Sequence, residues 1–275
     1  MASALITEAR RGTGDAASPR RHPVRAGAVV PDNAVARISA VLDCFGVRTE
    51  HLGVCELSRR SGLPQSTTSR LVADMVGHGL LERDGAELRL GCRIFEWGQQ
   101  VPRRRALRDV ALPLMSDLRA ATRLSVHLAV LDGSDVVYVE VVRGDQVPQM
   151  PSRAGGRIPA HATAVGKAML AYAPRRIFDE VVAAGLPRVG PRTLTTPRAL
   201  ARELERIRRD GIACEQEESG PGIACVAGPV LDRDRRPVAA LSVSGWSGRV
   251  HPSRVAPAVR TAVLTAGRML GSTLD

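Results

Sequence analysis

Apolar residues recur at helical spacing over the first patterned stretch of the chain. Ala34, Val35, Ile38, Val41, Leu42 and Phe45 fall at i, i+4 and i+7, which predicts an amphipathic helix with Asp32 as its N-cap. A second short helix is expected over residues 54–61, followed by a turn at Gly62-Leu63-Pro64. Pro64 suits the first position of a third helix, because its missing N–H has no partner to lose there. That helix carries a buried stripe of Thr68, Leu71, Val72, Met75 and Val76, and Gly77 or Gly79 ends it. The period then shortens. Two strands, near residues 80–83 and 87–90, flank Asp84-Gly85, a strong local signal for a hairpin. Helix, helix, turn, helix, hairpin is the order of a winged helix-turn-helix.

A connector follows. Ile94, Phe95 and Trp97 predict a helix that Pro102 interrupts, and a further helix on Leu107, Val110, Leu114 and Leu118 runs to about Thr122. From Leu124 onward strands alternate with helices. A hairpin over 126–142 turns at Asp132-Gly133, and helices are expected over 162–173, 175–184 and 197–210. Strands follow at 212–217, 223–231 and 238–246, with a last helix at 252–273. The pattern predicts an α+β domain of helices around an antiparallel sheet. Residues 1–30 show no periodicity and read as a disordered arm. The expected division is thus arm 1–30, winged helix-turn-helix 31–91, linker helix 92–108 and a second domain over 109–275.

Composition removes several classes. No apolar run approaches the roughly 18 residues needed to span a bilayer. The first thirty residues lack the apolar core of an export signal, so reduced thiols in a cytoplasm are expected for the five cysteines, which form no CxxC pair. The six histidines are scattered, and neither a metal site nor a cofactor is expected. The net charge of +11 comes from 39 basic residues, of which only Lys167 is a lysine. Residues 31–108 hold +3 of that charge (12 basic against 9 acidic), no more than their share, so the arginine excess reads as composition and does not by itself reveal a nucleic-acid partner.

A helix-turn-helix lays its second helix in the major groove, with its N-terminal residues towards base edges. Gln65, Ser66, Thr67, Thr68 and Arg70 occupy that stretch, and Arg83 and Arg89 flank the wing. Gln suits adenine edges, Arg the O6/N7 edge of guanine, and Ser or Thr either bases or phosphates. The stretch LGVCELSRRSGLPQSTTSRLVADMVGHGLLERDG, together with RIPAHATAVGKAMLAY at 157–172 and RRDGIACEQEESGPGIACVAGPVLDRDRRPVAALSVSGW at 208–246, resembles the IclR family of transcriptional regulators over about residues 30–272.

That resemblance implies a winged helix, a linker helix and an effector domain related to GAF- and profilin-type sheets. It implies a regulator, a repressor, that binds a double-stranded operator as a homodimer or dimer of dimers and answers to a small metabolite. Ala164, Val165 and Gly166 at a helix start favour a carboxylate, so the effector pocket suits a small organic acid better than a large aromatic ligand. The resemblance implies no membrane partner. Carried over position by position, the effector site falls on Met150, Ile158, Ala164, Val165, Glu215, Ile223, Cys225, Ser242 and Ser244. Ser242 and Ser244 alternate with Val243 and so share one face of a strand. Ala164 and Val165 make the approach bulkier than a glycine-containing one. Effector binding is expected to change the angle between effector domain and linker helix, and with it the half-site spacing. Two alternatives remain: an enzyme acting on small acids through Lys167 or Cys225, with His161 as motif neighbour, and a DNA binder indifferent to sequence. For Lys167 the competing reading is a structural pairing beside the pocket.

Overall fold

The computed structural model describes residues 33–46, 49–145, 148 and 150–273. The expected arm at 1–30 and the expected cap Asp32 lie outside them. The first unit holds α1 (Ala34–Leu42), α2 (Val54–Ser61), α3 (Gln65–Gly77), β1 (Leu81–Asp84) and β2 (Glu87–Leu90). Asn33 caps α1, its side chain accepting from Ala36 N at 2.8 Å. Pro64 sits one place earlier than expected, at the N-cap of α3, and the helix starts at Gln65. The two strands pair Leu81 with Leu90 and Asp84 with Glu87, and Gly85 turns between them at a φ of 60°. Leu52 pairs its backbone with Leu88 and draws the chain before α2 onto the wing. Val41, Leu52, Leu57, Leu63, Val72, Met75, Leu81 and Leu88 close one small core between helices and wing.

Two helices lead onward, α4 (Cys92–Gln99) and α5 (Pro102–Thr122), with Pro102 opening the second. The expected boundary after residue 108 falls inside α5, whose Leu107 and Val110 are already buried against the second core.

The larger unit is an α+β sandwich. Its elements are β3 (Ser125–Asp132), β4 (Asp135–Val142), β5 (Arg157–Pro159), a single 3-10 turn (Ala160–Ala162), α6 (Ala164–Leu170), α7 (Arg175–Ala183), α8 (Pro197–Asp210), β6 (Ala213–Gln216), β7 (Ile223–Leu231), β8 (Pro237–Trp246) and α9 (Pro252–Thr273). The strands form one antiparallel sheet in the order β5-β4-β3-β8-β7-β6. Alternate residues face opposite layers. Val126, Leu128, Val226, Leu241 and Val243 pack against α5 and α9. Ala129, Ala227 and Ala240 face α6, α7 and α8, and their small side chains let α6 lie close to the sheet. The sequence pattern did not announce β5, three residues long, and it merged the 3-10 turn with α6. Thr163 separates those two with extended backbone and caps α6 through its hydroxyl, which accepts from Gly166 N at 3.0 Å. Gly166 is required here, since a Cβ would stand 2.1 Å from the Ala160 carbonyl oxygen.

Candidate functional site

The outward face of α3 is the first candidate. Gly62 at a φ of 72° turns α2 into α3, a conformation that glycine adopts without strain. Ser58 Oγ donates to the Leu63 carbonyl at 2.7 Å and holds that turn. Thr68, Val72 and Met75 anchor α3 inward, so Gln65, Ser66, Ser69, Arg70 and Ala73 are left exposed and Thr67 half-buried. Arg70 and Arg83 are exposed and meet no acid among the described residues. Arg89 is paired with Glu82 at 3.0 Å, and Gln65 Nε2 donates to Cys55 Sγ at 3.4 Å.

Thr68 is a correction. It is fully buried, and its hydroxyl donates to the Pro64 carbonyl at 3.1 Å and approaches that of Leu63 at 3.4 Å. Its place on the buried stripe removes it from any base edge, and its role is to fasten the first turn of α3.

The second candidate is a cavity on the α6 side of the sheet, of about 20 Å³, room for roughly one water. All nine positions expected for an effector site line it: Met150 from the segment between β4 and β5, Ile158 on β5, Ala164 and Val165 on α6, Glu215 on β6, Ile223 and Cys225 on β7, Ser242 and Ser244 on β8. Ser242 and Ser244 do point to one side, as their alternation requires, and both hydroxyls approach Nδ1 of His127, at 3.5 and 3.3 Å.

Six further residues line the cavity that the sequence reading did not single out: His127, Tyr138, Pro151, Ser152, Thr163 and Ser219. His127 stands opposite Ser242 in the β3–β8 register, 115 residues away along the chain, and no local signal carries that pairing. Tyr138 meets the His127 ring edge-on, with centroids 5.5 Å apart. Thr163 was findable as a helix-capping residue before Ala164.

The cavity is weakly charged. Among the described residues, no lysine or arginine lines it. Burial, followed by the Arg143 charge, holds His127 down to about 3, so the ring is neutral at physiological pH. Burial and the Glu215 carboxylate push the Cys225 thiol well above its ordinary range, so it stays protonated. Burial raises the Tyr138 phenol in the same way. The Glu215 Oε1 accepts from the backbone N–H and the hydroxyl of Ser219, at 2.9 and 2.6 Å.

Lys167 lies beside the cavity and points away from it. It is 1 % exposed, and its Nζ donates to Glu218 Oε1 at 2.5 Å, the Cys214 carbonyl at 2.9 Å and Glu203 Oε1 at 3.4 Å. All three ammonium protons are thus engaged. Glu218 Oε2 is buried without a partner among the described residues, and burial raises this carboxyl to about 6 against the pull of Lys167. His161, the motif neighbour of an enzymatic reading, bonds the Pro187 carbonyl at 3.0 Å. Neither the clamped lysine nor the protonated thiol supports nucleophilic chemistry. Among the described residues no cluster of His, Cys, Asp or Glu is arranged to hold a metal, and no helix is long and apolar enough to cross a membrane.

Comparison with known proteins adds to this geometry. Residues 34–85 match the model of the IclR helix-turn-helix domain, and residues 99–271 match that of the bacterial transcriptional regulator IclR C-terminal region. The chain is 31% identical over 243 residues to the HTH-type transcriptional regulator XynR of Escherichia coli, covering 86% of this chain and 96% of that relative. It is 32% identical over 213 residues to the transcriptional repressor IclR of the same organism, covering 74% and 76% of the two chains. Among solved structures, an IclR homologue from Microbacterium hydrocarbonoxydans in complex with 4-hydroxybenzoate superposes with a TM-score of 0.81 at 31% identity, covering 86% of this chain and 99% of that one. The Thermotoga maritima IclR gives 0.71 at 30% identity, covering 86% and 98%.

Proposed function

The chain belongs to the IclR family of bacterial DNA-binding transcriptional regulators, and from that premise we propose that it is a repressor working in the cytoplasm, released from or retained on its operator by a small organic acid bound in the sheet cavity. The observation that carries the effector half is the convergence of nine positions, spread from Met150 to Ser244, on one cavity of mixed polar and apolar lining. The Microbacterium homologue, solved with 4-hydroxybenzoate, supports an organic acid as the class of ligand. Ser242, with a long contact to His127, and the first-turn N–H groups of Ala164 and Val165 are the donors for its carboxylate. The cavity holds only about one water as it stands, so the ligand enters by displacing lining side chains. That gives it a differential affinity for two states of the domain, which any ligand-driven shift requires.

The DNA half rests on α3. Gln65, Ser66, Thr67 and Arg70 face outward and read bases, while Arg83 and the Glu82-paired Arg89 meet the backbone beside the wing. The division that follows is a reading unit to residue 91, α4 as linker, and an effector unit beginning with α5 at Pro102. The exposed apolar side chains of α4, Phe95 and Trp97, with Val101 after it, favour self-association into the homodimer that a two-fold operator demands.

A gel shift with the protein's own upstream region against random DNA, titrated with small organic acids, tests the whole. A specific complex that one acid strengthens or dissolves is the expected result. Binding without sequence preference that falls steeply with salt, or turnover of an acid surviving removal of residues 1–92, overturns it.

A further inference from the structure

A line of hydrogen bonds crosses the sheet beneath the cavity. Glu215, Cys225 and Ser244 stand side by side on β6, β7 and β8. Ser244 Oγ donates to Cys225 Sγ at 2.8 Å, and Glu215 stands beside Cys225 on the neighbouring strand. On the other side, Ser244 Oγ lies 3.3 Å from Nδ1 of His127, whose Nε2 lies 2.8 Å from Ser152 Oγ.

Counting protons gives the line a direction. A serine hydroxyl has one proton to donate. Ser244 commits its proton to Cys225, so towards His127 it accepts; its contact with Nδ1, 3.3 Å against 3.5 Å for Ser242, is the shorter of the two, and on that ground the ring proton is assigned to Nδ1. Nε2 is then the acceptor, and Ser152 O–H donates to it. Each proton points along the line towards Cys225.

Ser152 is the one member of this line not held in a strand. Its carbonyl is fixed by Arg143 Nη2 at 2.6 Å, so its hydroxyl leaves His127 by rotation of the side chain alone. The cavity has no spare room for a ligand of several heavy atoms, and Ser152, on its loop, is one of the lining side chains that such a ligand would displace. Once Ser152 turns away, Nε2 becomes a buried acceptor without a donor, an unfavourable state until one arrives. A carboxylate has no proton to give it. An ammonium would have to shed its hydration beside a neutral ring, with Glu215 already engaged by Ser219. A hydroxyl fits without either penalty.

We propose that the ligand is a hydroxy acid whose hydroxyl takes the place of Ser152 on His127 Nε2, making His127 the residue that selects hydroxylated acids over their deoxy counterparts. The assignment rests on reading this cavity as the effector site. A buried ring that stays neutral down to about pH 3 keeps Nε2 an acceptor across the physiological range.

Calorimetry on the full chain with two matched pairs, 4-hydroxybenzoate against benzoate and lactate against propionate, tests it. At least one hydroxylated member is expected to bind tenfold or more tighter than its partner. His127→Phe should bring that pair within about twofold, and His127→Asn, which keeps an acceptor, should restore part of the preference. Nitrogen-15 NMR of the wild-type ring gives a reading that needs no variant to fold: Nδ1 protonated, Nε2 bare, and the Nε2 signal moved by the hydroxylated ligand. Equal binding within both pairs, a preference that survives in His127→Phe, or a free-state ring protonated on Nε2 overturns the proposal. So does failure of all four acids to bind, whereas the regulator reading itself stands or falls on the operator gel shift.

Discussion

Arg70 on α3 and His127 on β3 are both polar side chains at candidate recognition sites, yet their surroundings are opposite. Arg70 stands in solvent and meets no acid among the described residues, while Thr68, Val72 and Met75 bury the inward side of its helix. His127 is buried, with a serine at Nε2 and two more at Nδ1. The difference separates two kinds of recognition. On α3 the fold is finished without the polar residues, which are free to spend their bonds on a partner. In the cavity the polar residues complete one another, so a ligand has to exchange bonds with them, and disturbing them disturbs the domain. Substitutions on the outward face of α3 should therefore move binding without stability, and substitutions around the cavity should move both.

The largest effect expected is at Lys167. Lys167→Met leaves Glu218 buried with no cation, and breaking a buried pair in this way costs about 3–5 kcal/mol. Urea unfolding measures it, and Lys167→Met combined with Glu218→Gln should recover part of the loss. A cost near zero would place Lys167 with the dispensable surface charges and blur the contrast. Arg70→Ala should weaken specific operator binding by about 1–3 kcal/mol while leaving the unfolding midpoint unchanged. Operator affinity equal to wild type would remove Arg70 from the reading surface.

A pH series probes His127. Its folded value of about 3 lies below the ordinary 6.5, so the unfolded chain binds the extra proton between those limits. Stability from this group is present above pH 6.5 and is lost as pH falls towards 3, by about 1.4 kcal/mol per unit. From pH 6.5 to 5 the wild type should thus lose about 2 kcal/mol more than His127→Phe. Glu218, raised to about 6, acts with the opposite sign, which is why the difference between the two proteins is the quantity to measure. The smallest effect is at Thr68. Thr68→Val should cost about 1 kcal/mol of stability through its lost bonds to the start of α3, with operator affinity per folded molecule unchanged.

The same contrast governs what could be read beforehand. The reading unit is local: an apolar stripe, a Gly-Leu-Pro turn and an Asp-Gly hairpin lie within about sixty consecutive residues, and each marks its own element. Thr68 was readable both as stripe and as reader, and only its burial decides between them. In the effector unit the strands and long helices followed from periodicity, whereas β5 was too short to show one. The nine cavity positions came from family likeness and not from spacing. His127 and Ser152 escaped because their meeting with Ser242 and Ser244 depends on strand register between β3 and β8 and on a loop, neither of which leaves a pattern in the chain.

Lys167 carries a consequence for chemistry performed on the protein. It is the chain's only lysine, and the fold encloses its amine between two carboxylates and a carbonyl. Acylating reagents that label most proteins all over will find no side-chain amine here while α6 stays in place. When the packing of α6 against β6 opens, that single amine becomes reactive, and its labelling rate is a built-in clock for the opening of the wall beside the cavity.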